Sequence, residues 1–355
     1  MRRSRSARPP PASYTRPSPA PVAQGIERCP AEAEVASSNL AGRTTAVPLY
    51  LTEDDVAELL TIEDALGAVE GSFRRLAAGE VVNRPRYRLP LEEGALAVMA
   101  AVDRGLGYAG VKTYAGFASG ARFVVCLFRA DAPELVALIE ADRLGQLRTG
   151  AASGVAARHL ARPGASSLGV IGAGWQAETQ IACVRAALPG IERIQVYARD
   201  RKRLEQFCRR VGAEPAESNS DAADADVVVT VTTSRDPVLR GEWLREGALV
   251  CAVGANVPNR RELDNVVLER AAFVCCDSLE NAKLESGDLI EPVASGVLDW
   301  LEVHELQEVV AGDVSGRADP EDIVVFKSNG LAAWDVAIAA AAFERARERG
   351  VGLEL

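Results

Sequence analysis

The chain has very little histidine. Only His159 and His304 occur in 355 residues, both in helix-like sequence, so a histidine metal centre or a histidine-based catalytic triad is not expected. Seven cysteines occur without a C-x-x-C pair, which removes the usual zinc and dithiol signatures. Cys275 and Cys276 are adjacent in an apparent strand, which reads as buried, reduced thiols in a cytoplasmic protein. No apolar run approaches the roughly 18 residues that a membrane helix needs. Positive charge is not in surplus: the formal net charge is -10, which argues against nucleic acid as a partner. Aromatic residues make up 5%, hydrophobic residues 48% and charged residues 25%, an ordinary globular balance at a length that allows two cores.

The clearest positive signal is Ser166-Ser-Leu-Gly-Val-Ile-Gly-Ala-Gly-Trp-Gln-Ala177. Leu168 to Ile171 is a short apolar strand. Gly172, Gly174 and Ala177 then fit the G-x-G-x-x-G/A pattern that opens a helix near Trp175–Ala187. The first glycine allows the tight turn and the second lets a pyrophosphate approach the backbone. The small third residue lets strand and helix pack closely, with the helix N-terminus facing the phosphates.

Around this motif, strands fall near Leu168–Ile171, Arg193–Tyr197, Asp226–Val231, Ala248–Val253 and Ala272–Cys276. They alternate with helices near Lys202–Val211 and Ser220–Ala223. Such alternation predicts an α/β, Rossmann-type doubly wound parallel sheet. Upstream, Thr52 and Thr61 look like N-caps of two helices, the second reaching about Ala78. Strand-like runs follow at Leu96–Val102, Gly107–Tyr114, Phe123–Phe128 and Leu135–Glu140, then a helix near Asp142–Leu160. Ile323–Phe326 reads as a strand and Gly330–Arg349 as a long helix that rejoins the N-terminal half. The expected organisation is a Rossmann NAD(P)-binding domain, 161–319, inserted in a discontinuous α+β substrate and dimerisation domain, 48–160 plus 320–355.

Residues 1–47 stand apart. Met1 to Pro21 is rich in Arg, Pro and Ser and lacks the apolar core of a secretory signal. Val22 to Arg43 resembles the spurious peptide produced by translating a tRNA gene. The reading is a disordered extension from a mis-called start, with the native chain beginning near Val47. Glu27, Glu32 and Glu34 fit a transit peptide poorly.

Several separated segments then occur in order: Arg84-Pro-Arg86, Gly110-Val-Lys-Thr113, Leu147-Arg-Thr-Gly-Ala-Ala152, Gly172-Ala-Gly-Trp-Gln176, Val231-Thr-Thr-Ser234, Val253-Gly-Ala-Asn-Val-Pro258, Arg261-Glu-Leu-Asp264 and Val325-Phe-Lys-Ser328. Together they resemble the ornithine cyclodeaminase/mu-crystallin family, which includes archaeal alanine dehydrogenases and ketimine reductases. The resemblance runs from about Tyr50 to Gly350. It implies a dimer and hydride transfer to or from Cα of a small amino or imino acid. By motif position, Arg86 and Arg148 are the carboxylate binders; without the resemblance a surface arginine and a helix-face salt bridge are the better readings, because Arg84, Arg86 and Arg88 form a mixed basic stretch. Lys112 sits mid-strand, where alternation alone does not choose between solvent and site; the resemblance makes it the acid/base candidate. The implied cofactor contacts are Gly172, Gly174, Trp175, Gln176, Thr232, Val253, Gly254, Arg260 and Ser328, with packing over the pocket mouth as the alternative for Trp175.

Two positions depart from the family pattern. Asn256 stands where the cyclodeaminase carries an aspartate, and an amide neither takes a proton nor offers a full negative charge to an ammonium group. This favours ketimine reduction, or amino-acid oxidation in reverse, over conversion of ornithine to proline and ammonia. A non-catalytic NADPH-binding protein of mu-crystallin type is the third reading. The strand Arg193–Tyr197 is followed by Ala198 where an NAD-binding fold usually places an acid, and then by Arg199. Arg199, with Arg203, suits a 2′-phosphate, so NADP(H) is expected over NAD(H); Asp200 is the alternative partner for a ribose. No metal is expected.

Overall fold

The structure, a computed structural model, describes residues 47–355. The expectation for the N-terminal extension therefore lies outside the described residues, apart from Val47.

The first layer begins with β1 (Leu49–Leu51), α1 (Glu53–Leu59) and α2 (Ile62–Ala77). The Thr52 and Thr61 side chains each accept a hydrogen bond from the backbone amide three residues on, and the Asp55 and Asp64 carboxylates accept from the backbone amides of Thr52 and Thr61. These are two complete capping boxes, as the sequence predicts. Then come β2 (Val81–Asn83), β3 (Tyr87–Leu91), β4 (Gly94–Asp103), β5 (Tyr108–Phe117), β6 (Gly120–Arg129), β7 (Leu135–Glu140) and α3 (Asp142–Leu160). The strands form a sheet in the order β16-β1-β7-β6-β5-β4-β2, with β3 also on β4; β16 (Leu353–Glu354) is the last element of the chain. Strand parity decides which side chains turn inward. Met99, Lys112, Val125 and Ile139 are register partners across four strands, and all four are buried. Lys112 therefore lies on the core face. The row Val82, Val102, Ala109 and Phe128 occupies the opposite face.

The second layer holds β8 (Ser167–Ile171), α4 (Trp175–Ala187), β9 (Arg193–Tyr197), α5 (Arg201–Val211), β10 (Glu214–Pro215), α6 (Asn219–Ala223), β11 (Val227–Thr230) and β12 (Leu249–Ala252). It continues through α7 (Asn265–Arg270), β13 (Ala271–Cys276), α8 (Leu279–Glu285), α9 (Gly287–Ala294), β14 (Val303–Glu305), α10 (Leu306–Ala311) and β15 (Ile323–Lys327). Its eight strands run in the order β10-β9-β8-β11-β12-β15-β13-β14, every pair parallel. The order reverses between β8 and β11, which opens a crevice at the carboxyl ends of the strands.

Two details differ from the sequence expectation. The strand expected near Ile323 is not an outer-layer element: β15 pairs with β12 and β13 inside the parallel sheet, because Ile323 to Phe326 is uniformly apolar and suits a strand covered on both faces. Only then does the chain cross to α11 (Ala332–Arg349). His304 lies in the edge strand β14 rather than in a helix, with its ring stacked on Phe273.

The layers meet where α3 crosses α4. A Cβ at Gly150 would stand 2.5 Å from the Thr179 carbonyl, and one at Gly154 would stand 2.9 Å from that of Cys183. Their lack of side chains lets the helix backbones touch. Thr179 Oγ1 donates to Gln146 O (3.0 Å) and Gln180 Nε2 to Thr149 O (3.1 Å), tying the two helices together. The N-terminus of α3 is closed from outside the helix: Glu53 accepts from the amides of Asp142 and Arg143 at 2.6 and 2.7 Å. Gly150→Ala is expected to lower unfolding stability by about 1–3 kcal/mol through this overpacking. Denaturant unfolding measures it, and wild-type stability would show that the two helices separate at little cost.

Candidate functional site

The glycine turn behaves as its spacing requires. Gly172 has φ +120°, and a Cβ there would lie 2.5 Å from Val231 O, so only glycine fits. Space around the Cα of Gly174 is open, with nothing within 4 Å of an added Cβ. Gly174 caps α4 without a side-chain hydrogen bond; the Ala177 amide donates to Gly174 O (3.1 Å), and the amides of Trp175 and Gln176 are left for an anion. These observations fit a dinucleotide pyrophosphate at this helix end.

Directly beside it is a cavity of about 450 Å³, within the usual range for small-molecule sites. Both layers line it. Arg86, Lys112 and Arg148 come from the outer layer. Gly174, Trp175, Gln176, Thr232, Val253, Gly254, Asn256 and Ser328 come from the strand ends and turns of the parallel sheet. Three expected residues are not among the lining. Gly172 shapes the turn behind the cavity. Arg199 is exposed beyond the end of β9, and Arg260 lies in the loop whose backbone packs on Gly287. Trp175 is half exposed, as a residue over the pocket mouth would be.

The cationic side chains are held by acids. Asp335 Oδ1 of α11 accepts from Lys112 Nζ at 2.9 Å and from Arg148 Nε at 3.1 Å. Gly145, one turn before Arg148, leaves room for the lysine: an added Cβ would be 3.1 Å from Nζ. Lys112 is 3% exposed and its ammonium sits 5.0 Å from the Phe123 ring centre. Burial pushes its pKa down to about 8, with Arg148 and Arg86 adding to the fall and Asp335 opposing it. Arg148 uses only Nε; its two terminal nitrogens have no hydrogen-bond partner among the described residues, although they lie in a cavity wall.

Arg86 is more committed. It donates to Glu285 Oε2 (2.6 Å), to Asn329 O (3.0 Å) and to Met99 Sδ (3.3 Å). Arg88 joins the same carboxylate at Oε1 (3.1 Å) and donates to Asn256 O (3.0 Å). Burial raises the pKa of Glu285, against the pull of the two arginines.

Beneath the cavity floor a second set of buried acids fixes the strand ends. Glu262 accepts from Thr232 N (2.6 Å), Thr232 Oγ1 (2.8 Å), Thr230 Oγ1 (2.9 Å) and Gly254 N (2.7 Å). Asp277 Oδ2 accepts from Ser328 Oγ (3.0 Å), Asn329 N (2.7 Å) and Gly330 N (2.6 Å). Lys327 Nζ lies 3.1 Å from Asp288 Oδ2 and donates to Ala255 O (2.6 Å). Burial raises the pKa of both Glu262 and Asp277.

Sequence reasoning missed Asp335, Glu285, Asp277 and Asn329. Asp335 left a trace: it is the one charge in the apolar run Leu331–Phe343. Glu285 left none, since α8 was not anticipated.

This arrangement can hold an acid group beside a buried amine at the mouth of a dinucleotide crevice. The family model for the ornithine cyclodeaminase/mu-crystallin family matches residues 46–350. The chain belongs to this family. Alanine dehydrogenase of Archaeoglobus fulgidus is 36% identical over 321 residues, covering 86% of this chain and 98% of the relative. An archaeal alanine dehydrogenase dimer with bound NAD superposes with a TM-score of 0.83 at 34% identity, covering 87% of this chain and 99% of the other. Thermococcus litoralis Δ1-pyrroline-2-carboxylate reductase, in complex with NADH and L-proline, superposes with a TM-score of 0.81 at 32% identity, covering 86% and 100%. Among the described residues no helix is long and apolar enough to cross a membrane, and no group of three His, Cys, Asp or Glu side chains is placed to hold a metal.

The 15N-labelled amine of Lys112 is expected to titrate near pH 8. In Asp335→Asn its midpoint should fall further, because the carboxylate is what stabilises the ammonium. An unchanged or higher midpoint by NMR would mean that the ion pair does not govern this charge.

Proposed function

We propose that the protein is an NAD(P)H-dependent oxidoreductase that reduces a small ketimine or cyclic imino acid at Cα, or oxidises a small amino acid in reverse. One observation carries this reading: Lys112 and Arg148 share Asp335 Oδ1 in the cavity that adjoins the β8–α4 glycine turn. In this reading residues 48–160 and α11 supply the substrate side, and residues 161 to 327 the cofactor side.

Gln176, Thr232, Gly254 and Ser328 would hold a reduced nicotinamide, which when bound would supply the hydride for a new Cα–H bond, while the C=N π pair would pass to nitrogen and a proton held by the chain would complete the amine. Arg148 offers its free terminal nitrogens to the substrate carboxylate, and Arg86 lines the same wall. Lys112 holds the proton. A pKa of about 8 suits an amine that gives up a proton near neutrality, and Asp335 keeps it beside the reacting nitrogen. Gln176, Thr232, Gly254 and Ser328 form the cofactor-facing wall, with Glu262 and Asp277 fixing the backbone behind them.

Asn256 lines the cavity where a cyclodeaminase would need an acid, so ornithine cyclisation is disfavoured. For the cofactor, Asp200 caps α5 by accepting from Arg203 N (3.1 Å). Arg199 is exposed and has no side-chain hydrogen bond among the described residues. These placements favour NADP(H).

For assembly we propose a homodimer through the outer face of the first sheet, where Val82, Leu89, Leu91, Val102 and Phe128 are each between 37% and 42% exposed. Sedimentation velocity is expected to give a dimer that Val102→Lys weakens; a monomer at micromolar concentration removes this face. The free cysteines, of which all but Cys126 are buried among those described, fit a reducing cytoplasm.

Turnover of a panel of cyclic and ammonia-derived imino acids with NADPH tests the activity. Cofactor oxidation is expected, with kcat falling about 100-fold or more in Lys112→Met while the cofactor Kd stays unchanged. Near-normal turnover in that variant would remove Lys112 from the chemistry. NADPH should bind at least about tenfold more tightly than NADH, and the reverse order would end the NADP assignment. Proline and ammonia from ornithine, without net cofactor change, would support the cyclodeaminase instead. Tight NADPH binding with no turnover would indicate a binding protein.

A further inference from the structure

The edge of the first sheet slips by one residue where it carries the arginines. β2 ends with Asn83 opposite Ala101, and β3 begins with Tyr87 opposite Val98. Arg84, Pro85 and Arg86 therefore stand against only Met99 and Ala100, a β-bulge at a proline that has no amide to give the ladder. An unbroken register would set Arg88 opposite Leu96, on the outer face of the sheet. The bulge sets it opposite Ala97 instead, in the row of Tyr114 and Phe123, both of which line the cavity. Arg88 is not itself part of the cavity wall.

What Arg88 reaches is the loop after β12. Three successive residues of that loop are each held by a charged side chain: the Gly254 amide by Glu262 Oε2 (2.7 Å), the Ala255 carbonyl by Lys327 Nζ (2.6 Å) and the Asn256 carbonyl by Arg88 Nη2 (3.0 Å). Glu262 and Lys327 belong to the parallel layer. Among the described residues Arg88 is the one outer-layer side chain that hydrogen-bonds this loop, whose Val253, Gly254 and Asn256 line the cavity. Its other branch, Nη1, meets Glu285 Oε1 at 3.1 Å, and the second oxygen of Glu285 takes Arg86 at 2.6 Å. Arg86, Glu285, Arg88 and the Asn256 carbonyl thus form one chain of charge-assisted hydrogen bonds from the substrate wall to the cofactor wall. The planar fork of arginine suits this double contact, which a point charge on a flexible stem does not reproduce.

We infer that Arg88 is a positioning residue: touching neither substrate nor cofactor, it holds the loop 253–258 against the outer layer and so sets how the nicotinamide meets the substrate Cα. The inference rests on the proposed function. Misplacement by about 1 Å costs on the order of 100-fold in rate even when it arises far from the chemistry. The loss of Arg88 is therefore felt in kcat rather than in affinity. The fold does not depend on it, since Arg88 is partly exposed and Glu285 keeps its bond to Arg86 when Arg88 is gone.

The test is Arg88→Met in the full chain, with two readouts. With NADPH and an imino acid that the wild type reduces, kcat is expected to fall about tenfold or more, while KM and the NADPH Kd each stay within about twofold. Arg88→Lys, which keeps the charge and a donor, should regain part of the loss. Amide hydrogen exchange, with and without NADPH, should rise about tenfold in residues 253–258 of Arg88→Met and stay unchanged in α3 and α4. An unchanged kcat where the wild type turns over would overturn the inference. So would a KM or NADPH Kd raised about tenfold at constant kcat, because Arg88 would then be a binding residue. Exchange that does not rise in the loop overturns it as well, and exchange that rises throughout the chain would mark a merely structural role. If the wild type reduces no imino acid, the proposed activity fails, and the exchange of residues 253–258 alone decides whether Arg88 holds the loop.

Discussion

A single carboxylate oxygen joins three distant parts of the chain. Asp335 Oδ1, on the C-terminal helix, receives Lys112 from the middle of an antiparallel strand and Arg148 from the helix that follows that sheet. Each of these charges alone would be costly to bury. The acid offsets part of that cost for two cations at once, and because two cations share it the local charge stays positive. The cavity can therefore attract an anionic ligand while the lysine remains only partly committed to its proton.

Around that junction the two layers divide the work by different physical means. The outer layer presents side chains, placed by strand parity and by α3. The parallel sheet presents mainly backbone and small residues, placed by buried acids below the surface. Glu262 gathers four donors from the ends of β11 and β12, and Asp277 gathers three from the turn after β15. Multiple donors to one buried carboxylate fix geometry more firmly than any single hydrogen bond, since no donor can leave without exposing charge to an apolar surrounding.

Much of this was readable from the chain. Periodicity located β8, β9, β11, β12 and β13 with the helices α4, α5 and α6, and spacing identified the glycine turn. Family motifs marked Arg86, Lys112 and Arg148, which the fold brings to one cavity. What escaped had a physical reason. The direction of Lys112 depends on strand register, which its own strand does not encode. Glu285 acts on Arg86 across 199 positions of sequence, so no local pattern relates them. β15 was read as an outer-layer strand because the element after it belongs there, whereas sheet order is set by long-range pairing.

The placement of β15 has a consequence for synthesis. This strand fills an interior slot between β12 and β13, and its residues emerge from the ribosome after those of every other strand in that sheet. Until Lys327 is available, β12 and β13 face each other across a gap with their pairing groups unsatisfied. The parallel sheet therefore cannot be completed until residues 323–327, close to the end of the chain, have left the ribosome.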